Sequence, residues 1–301
     1  MKRACVIINP IAGAGRVRTI NACESLARDT LARHGFETTV RVTVGPDDAR
    51  RFADEALGSN AELVVAWGGD GTVNGAASAL ANTKIPLGIV LGGSGNGLGR
   101  DLGLPHHPAA ALAVAADGAT RAIDACELGG SLFFNVAGIG LDARIAARLA
   151  SPDARRGLLG YIKATLAELP GYKPNQYSIE ISAAGEEPST FATSALFIAL
   201  ANSRQWGNGA QIAPMARLDD GLVDVVVVQP QSGLQIASRV PALFRGSLDE
   251  RPGLVMRRGS EVRIQAERPM SFHVDGEPRR GGERLEARVH PRALLVKVRP
   301  G

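Results

Sequence analysis

The residues of this chain that could do chemistry fall in short stretches rich in glycine and aspartate. Trp67–Asn74 reads WGGDGTVN and follows the apolar run Leu63–Ala66 directly. Glycine permits a tight turn and lets backbone N–H groups approach a ligand with no Cβ in the way. The helix expected to follow offers its N-terminus to an anion. Thr72 either caps that helix or meets phosphate. Asp70 has two readings from spacing alone, a helix cap, which aspartate forms readily, or a functional carboxylate. A carboxylate among phosphate-binding amides is repulsive unless a cation bridges it, so the functional reading implies Mg²⁺.

A second glycine loop, GGSGNGLG at Gly92–Gly99, follows the next apolar run. It fits neither the dinucleotide fingerprint in register nor the P-loop pattern. Its weight comes from its place, because two such loops after consecutive strands converge on one sheet edge. Two acidic stretches come later. In VDGEP, Asp275 and Glu277 stand at i, i+2, which would put both on one face of a continuing strand. Gly276 and Pro278 suggest instead an Asp-Gly hairpin turn. Asp219-Asp220-Gly221 reads by itself as a type I turn.

These stretches need elements to hold them. Up to about residue 120 strand and helix patterns alternate: Ala4–Asn9, Val17–His34, Thr38–Val44, Asp47–Leu57, Glu62–Trp67, Thr72–Ala81, Pro86–Leu91 and Ala109–Asp117. Gly35 suits a C-terminal cap, and Asp47 an N-terminal one. This order predicts a parallel sheet with helices on both faces, binding ligands beyond the carboxyl ends of its strands. After about Ile123 strand-like runs dominate, with helices expected near Leu158–Leu169 and Leu234–Arg245. The expected fold is an α/β N-terminal nucleotide-binding domain over 1–123, then a mostly antiparallel β-sandwich domain over 124–301.

Composition narrows the function. The chain has 301 residues, 45% hydrophobic and 21% charged, which is enough for two globular domains. Aromatics at 4% argue against nucleic-acid binding through stacked bases. A net charge of +4 reads as a solvated surface or as attraction to anionic lipid or phosphate. Basic pairs stand at Arg155-Arg156, Arg257-Arg258 and Arg279-Arg280. Three cysteines without CxxC spacing argue against a disulfide frame or a zinc site and for a reducing compartment. The apolar start, Ala4–Ile8, is too short for a signal peptide, and no run reaches the roughly 20 residues that span a bilayer. Membrane contact would then be peripheral.

Taken together, NPIAGAGR at Asn9–Arg16, GGDGTVN at Gly68–Asn74, GGSGNGLGRDLGLP at Gly92–Pro105, LDDGLVDV at Leu218–Val225 and VDGEP at Val274–Pro278 resemble the diacylglycerol kinase catalytic-domain family of lipid kinases. That family includes bacterial diacylglycerol kinases and the sphingosine and ceramide kinases. Thr43–Ala49 is similar to its T-x-x-x-x-[DG]-A stretch, and Asn135–Asp142 (NVAGIGLD) to the segment opening its second domain. GGDGT alone is shared with NAD kinases; the later segments at these spacings are not suited to them. One departure stands out. Bacterial diacylglycerol kinases usually carry Asp after the asparagine of the second loop and often Thr before it, where this chain has Gly97 and Ser94. Sphingosine-type members also lack that acid, so the departure bears on the acceptor more than on the kinase chemistry.

The resemblance implies an ATP- and Mg²⁺-dependent kinase with a lipid acceptor, diacylglycerol first, at the inner surface of the cytoplasmic membrane. A sphingosine-like acceptor, NAD, and a non-catalytic sensor are the alternatives; a homodimer is compatible with it. It implies that Asn9, Thr43, Gly69, Gly71, Thr72, Ser94 and Asn96 line the ATP site. Asp70 would help place Mg²⁺ and phosphates. Asp275 would take the lipid hydroxyl proton with Glu277 in support, and Asp70 is the rival base. Asp220, with the carbonyls of Arg217 and Leu222, would hold a structural Mg²⁺. Outside these motifs, His106-His107 read as loop residues, His273 as a partly buried strand histidine, and Trp206 as either a lipid-cleft wall or a loop anchor.

Overall fold

The computed structural model describes residues 1–11, 19–151 and 157–300, with the side chains of residues 158, 159 and 237 left aside. The chain divides into two compact units, Met1–Ile123 with Arg292–Gly301, and Asp124–Pro291. The segment from Arg292 onward, expected from sequence in the second domain, thus groups with the first.

The first unit runs β1 (Lys2–Ile8), α1 (Ile20–Arg33), β2 (Phe36–Val42), α2 (Asp48–Gly58), β3 (Leu63–Gly68), α3 (Asp70–Leu80), β4 (Leu87–Leu91), α4 (Gly97–Asp101) and α5 (Pro108–Asp117). Its strands pair in parallel in the order β2-β1-β3-β4. Helices cover both faces of such a sheet, so β1 and β3 are near-continuous apolar runs. Val6, Val65 and Val90 pack with Leu31 of α1 and Leu112 of α5. Thr19 caps α1 through the Ala22 amide, and Gly35 follows it at φ +81°.

The second unit begins within β5 (Ala119–Leu128) and continues through β6 (Ser131–Phe133), β7 (Val136–Gly140), α6 (Leu141–Leu149) and α7 (Leu158–Glu168). Then come β8 (Asn175–Ser182), β9 (Ser189–Ala195), β10 (Phe197–Ala201), β11 (Gln205–Gly207), β12 (Ala210–Gln211), β13 (Val223–Val228) and α8 (Gly233–Arg245). β14 (Leu254–Gly259), β15 (Glu261–Ala266), β16 (Ser271–Val274), β17 (Glu277–Arg280) and β18 (Arg284–Val298) complete the chain. Within this unit β15 pairs antiparallel with β8 and β18, and β8 with β9. A second antiparallel sheet runs β14-β13-β10-β7-β16-β17. Ile179, Ile264 and Leu285 from the first sheet share a core with Ile139, Val225 and Phe272 from the other, which makes a sandwich. β18 crosses into the first unit at Pro291–Arg292, where its end pairs with β4 through Val296 and Leu87. Among the described residues no helix is long and apolar enough to cross a membrane.

Candidate functional site

The two glycine loops of the first unit are stacked backbone on backbone at the carboxyl ends of β3 and β4. The Gly92 amide donates to the Gly68 carbonyl at 2.8 Å. A Cβ on Gly93 would stand 2.5 Å from the Cα of Gly69, and one on Gly95 2.6 Å from Oδ2 of Asp70. Glycine is therefore required here because the loops touch each other. Gly93→Ala is expected to cost about 1–3 kcal/mol by overpacking, since the obstacle is backbone and cannot rotate away. Thermal unfolding of the purified variant reads it.

The structure rules out one of the two sequence readings of Asp70. Helix α3 starts at Asp70 itself with Gly69 as its N-cap, so the carboxylate does not cap its own helix. Its Oδ2 accepts the Asn96 amide at 2.9 Å, and its Oδ1 the Gly97 amide at 2.7 Å. The carboxylate thus ties the first glycine loop to the second and caps α4 from outside. Asn96 sits in the left-handed region at φ 51°. Its side chain closes its own loop, accepting from the Gly93 amide at 2.9 Å and donating to the Gly93 carbonyl at 2.7 Å. Arg100 braces the same turn through the Gly95 carbonyl.

The other expected nucleotide-site residues divide into buried supports and exposed groups. Asn9 donates to the hydroxyl of buried Thr72 at 3.1 Å. Thr43 is buried, its amide donating to the Ile8 carbonyl. Gly69 and Gly71 are half-buried, and Ser94 is exposed. Residues 12–16 of the first motif lie outside the described residues, as do Val17 and the Arg155-Arg156 pair. Asp47 makes no side-chain cap; Asp48 instead accepts the Val44 and Gly45 amides. The Val44 amide first, then Arg51 and the Gly45 amide, hold its carboxyl down at about 2.

In the second unit β16 and β17 form a hairpin with Val274 opposite Glu277, so Asp275-Gly276 is a two-residue turn. Both φ angles are positive, 48° and 88°, as a type I′ turn requires. The hairpin reading of VDGEP holds, yet the turn is more than a turn. The Asp275 carboxylate is buried and accepts three consecutive amides, Phe134 on Oδ2 at 3.0 Å and Asn135 and Val136 on Oδ1 at 2.9 and 3.1 Å. Glu277 is exposed, so the two carboxylates do not share one face. Beneath this, fully buried Asn202 donates to the carbonyls of Asp124 and Phe134, both at 3.0 Å, and accepts from Cys126. Burial, with Asp124, Asp275 and Asp220 adding to it, pushes the Cys126 thiol well up, so it is a packed thiol and not a nucleophile.

Asp220 has partners of its own. Oδ1 accepts the Leu222 amide and Oδ2 pairs with Arg258, which also reaches Asp224 at 3.4 Å. Asp124 Oδ2 accepts the Gly221 amide at 2.7 Å. Among the described residues no group of three or more His, Cys, Asp or Glu is gathered to hold a metal. With a guanidinium on the Asp220 carboxylate, this turn does not fit a structural Mg²⁺ unless Arg258 moves away. Burial is the main cause that lifts the Asp224 carboxyl to about 6, with Asp220 adding and Arg258 opposing. The folded form then binds this proton more tightly than the unfolded chain, whose value is 3.8. Its contribution favours folding at low pH and is lost as pH rises through about 4 to 6. The stability of the native protein relative to Asp224→Asn should fall over that window, measured by urea unfolding.

Sequence reasoning missed a further cluster. Asp142 of α6 is buried; its Oδ1 accepts from the Tyr161 hydroxyl at 3.0 Å and its Oδ2 from the Trp206 indole at 3.2 Å. His273 Nε2 lies 2.9 Å from the same Oδ2. Burial alone would raise the Asp142 carboxyl, but His273, Tyr161 and Trp206 outweigh it and hold it below the usual range. Trp206 is thus an anchor, stacked on Phe197 and edge-on to Tyr161. The available signal was one histidine between buried Phe272 and Val274 in a short strand.

Residues 3–128 match the model of the diacylglycerol kinase catalytic domain. Residues 135–298 match that of the YegS C-terminal NAD kinase beta sandwich-like domain. The chain is 33% identical over 282 residues to a Klebsiella pneumoniae protein named "probable lipid kinase YegS-like", covering 91% of this chain and 90% of that protein. It is 30% identical over 284 residues to a Mycobacterium tuberculosis protein named diacylglycerol kinase, covering 91% and 88%. A crystal structure described as a diacylglycerol kinase from Bacillus anthracis has the same fold, with TM-score 0.73 at 20% identity over 99% of this chain and 97% of that one.

Proposed function

The chain belongs to the diacylglycerol kinase family of lipid kinases, and we propose on that premise that it transfers the γ-phosphoryl group of ATP to a lipid hydroxyl, with diacylglycerol as acceptor and phosphatidic acid as product. The observation that carries this reading is the joining of Gly68–Gly71 to Gly92–Gly97 by Asp70. Two glycine backbones and the start of α3 then lie at the carboxyl ends of neighbouring parallel strands, a place suited to phosphate. The Gly92, Gly93, Asn96 and Gly97 amides are engaged within the loops, so the donors offered to phosphate are the amides at the start of α3 and exposed Ser94. ATP bound there supplies the phosphoryl group, and Mg²⁺ with it would offset the negative charge that Asp70 brings.

Phosphoryl transfer demands mainly positioning and charge neutralisation. Asn9, Thr72 and Asn96 act by holding loop shape, through the hydrogen bonds described above. Asp275 is assigned as the group that accepts the acceptor hydroxyl's proton. Held by three amides, it is an oriented hydrogen-bond acceptor in a reaction that demands mainly positioning. Glu277 is exposed on a different face from Asp275, so any support it gives is to the metal. An acceptor that lives in a bilayer places the enzyme at the inner face of the cytoplasmic membrane as a peripheral protein. Incubation with γ-labelled ATP and either diacylglycerol micelles or NAD tests the reading. Label in lipid supports it, and NADP formation without labelled lipid replaces it with the NAD kinase alternative.

A further inference from the structure

The turn that carries Asp275 is pinned from its other side by His273. The Gly276 amide donates to His273 Nδ1 at 3.3 Å. A nitrogen that accepts an amide proton carries none of its own, so the ring proton belongs on Nε2. Nε2 points at Oδ2 of Asp142 at 2.9 Å, and a carboxylate can only accept there. Asp142 is in turn fixed by Tyr161 of α7 and Trp206 of β11. The arrangement leaves no space for a side chain at position 138, where a Cβ would collide with both Asp142 Oδ2 and His273 Nε2. All four polar side chains are buried or half-buried, so the ring has one orientation open to it.

We propose that His273 is a positioning residue for the acceptor step: held by Asp142, its Nδ1 holds the Gly276 amide and so fixes the two-residue turn on which Asp275 stands. This rests on the assignment of Asp275 as the proton acceptor. The left-handed backbone of Asp275 and Gly276 can relax once an anchor is lost, and small shifts of a catalytic group are costly.

Two isosteric halves of the imidazole separate this role from plain packing. Asn at 273 keeps an acceptor oxygen near the place of Nδ1, whereas Gln keeps a donor near the place of Nε2. His273→Asn is expected to retain most of kcat. His273→Gln is expected to lose on the order of 100-fold in kcat with the KM for ATP unchanged. Amide exchange at Gly276, followed by NMR, should stay slow in the Asn variant and become fast in the Gln variant. That second readout needs no turnover, so it decides the anchoring role even if the wild type labels no lipid. Equal kcat and equal Gly276 exchange in the two variants, or retention by Gln and loss by Asn, would overturn the proposal.

Discussion

Asp275→Asn is expected to abolish phosphoryl transfer and to lower the unfolding midpoint as well. The midpoint falls because the native carboxylate satisfies three buried amides. The amide side chain keeps one acceptor oxygen, which can serve Asn135 and Val136, and turns an NH₂ towards the Phe134 amide. Leaving that amide unsatisfied costs about 1–3 kcal/mol, or roughly 2–4 °C of midpoint per kcal/mol in a unit of this size. Asp275→Ala strands all three amides and should cost distinctly more. Calorimetry on both variants, beside turnover, separates the contribution to folding from that to the reaction. Loss of turnover with an unchanged midpoint in Asp275→Asn would show that the amide contacts are not maintained in solution.

Asp70→Asn is expected to lower kcat on the order of 100-fold or more and to raise the KM for ATP. The two oxygens of Asp70 each take one amide of the second glycine loop, and asparagine can satisfy only one of them. The loop would then lose either its Asn96 or its Gly97 anchor, and the negative charge that favours the start of α4 disappears with it. A raised KM distinguishes this variant from Asp275→Asn, which should lose turnover and still bind ATP as the native protein does, because its amide contacts are all made within the second unit. Steady-state kinetics against ATP at saturating lipid check both. An Asp70→Asn enzyme with native KM would remove the loop-tying role.

Much of the first unit was legible in sequence because its strands are buried on both faces and read as apolar runs bounded by glycine. The second unit was legible only where apolar residues cluster. In β18 only the end, Ala293–Val298, is an apolar run, while Arg284–Val289 alternates exposed and buried residues in a polar-looking sequence. Helix α6 went unread because NVAGIGLD runs from strand into helix at Gly140, with no capping side chain. The acidic residues of the candidate site were visible by type, but their work was not. Asp70 meets amides 26 and 27 residues away, and Asp275 meets amides 139 to 141 residues away. A motif records which carboxylate is present, whereas its partners are set by tertiary packing. Arg258 is the sharpest case, since nothing in LDDGLVDV announces the guanidinium that Asp220 receives.

The proposed reaction moves the γ-phosphate of ATP onto a lipid hydroxyl. The most direct measurement is extraction of labelled lipid after incubation with γ-labelled ATP, Mg²⁺ and mixed micelles carrying diacylglycerol, sphingosine or ceramide singly. Label is expected in the organic phase with at least one acceptor, diacylglycerol foremost, and none with Asp275→Asn. Binding of ATP with no labelled lipid from any of the three would contradict it and leave a nucleotide-binding protein without kinase activity.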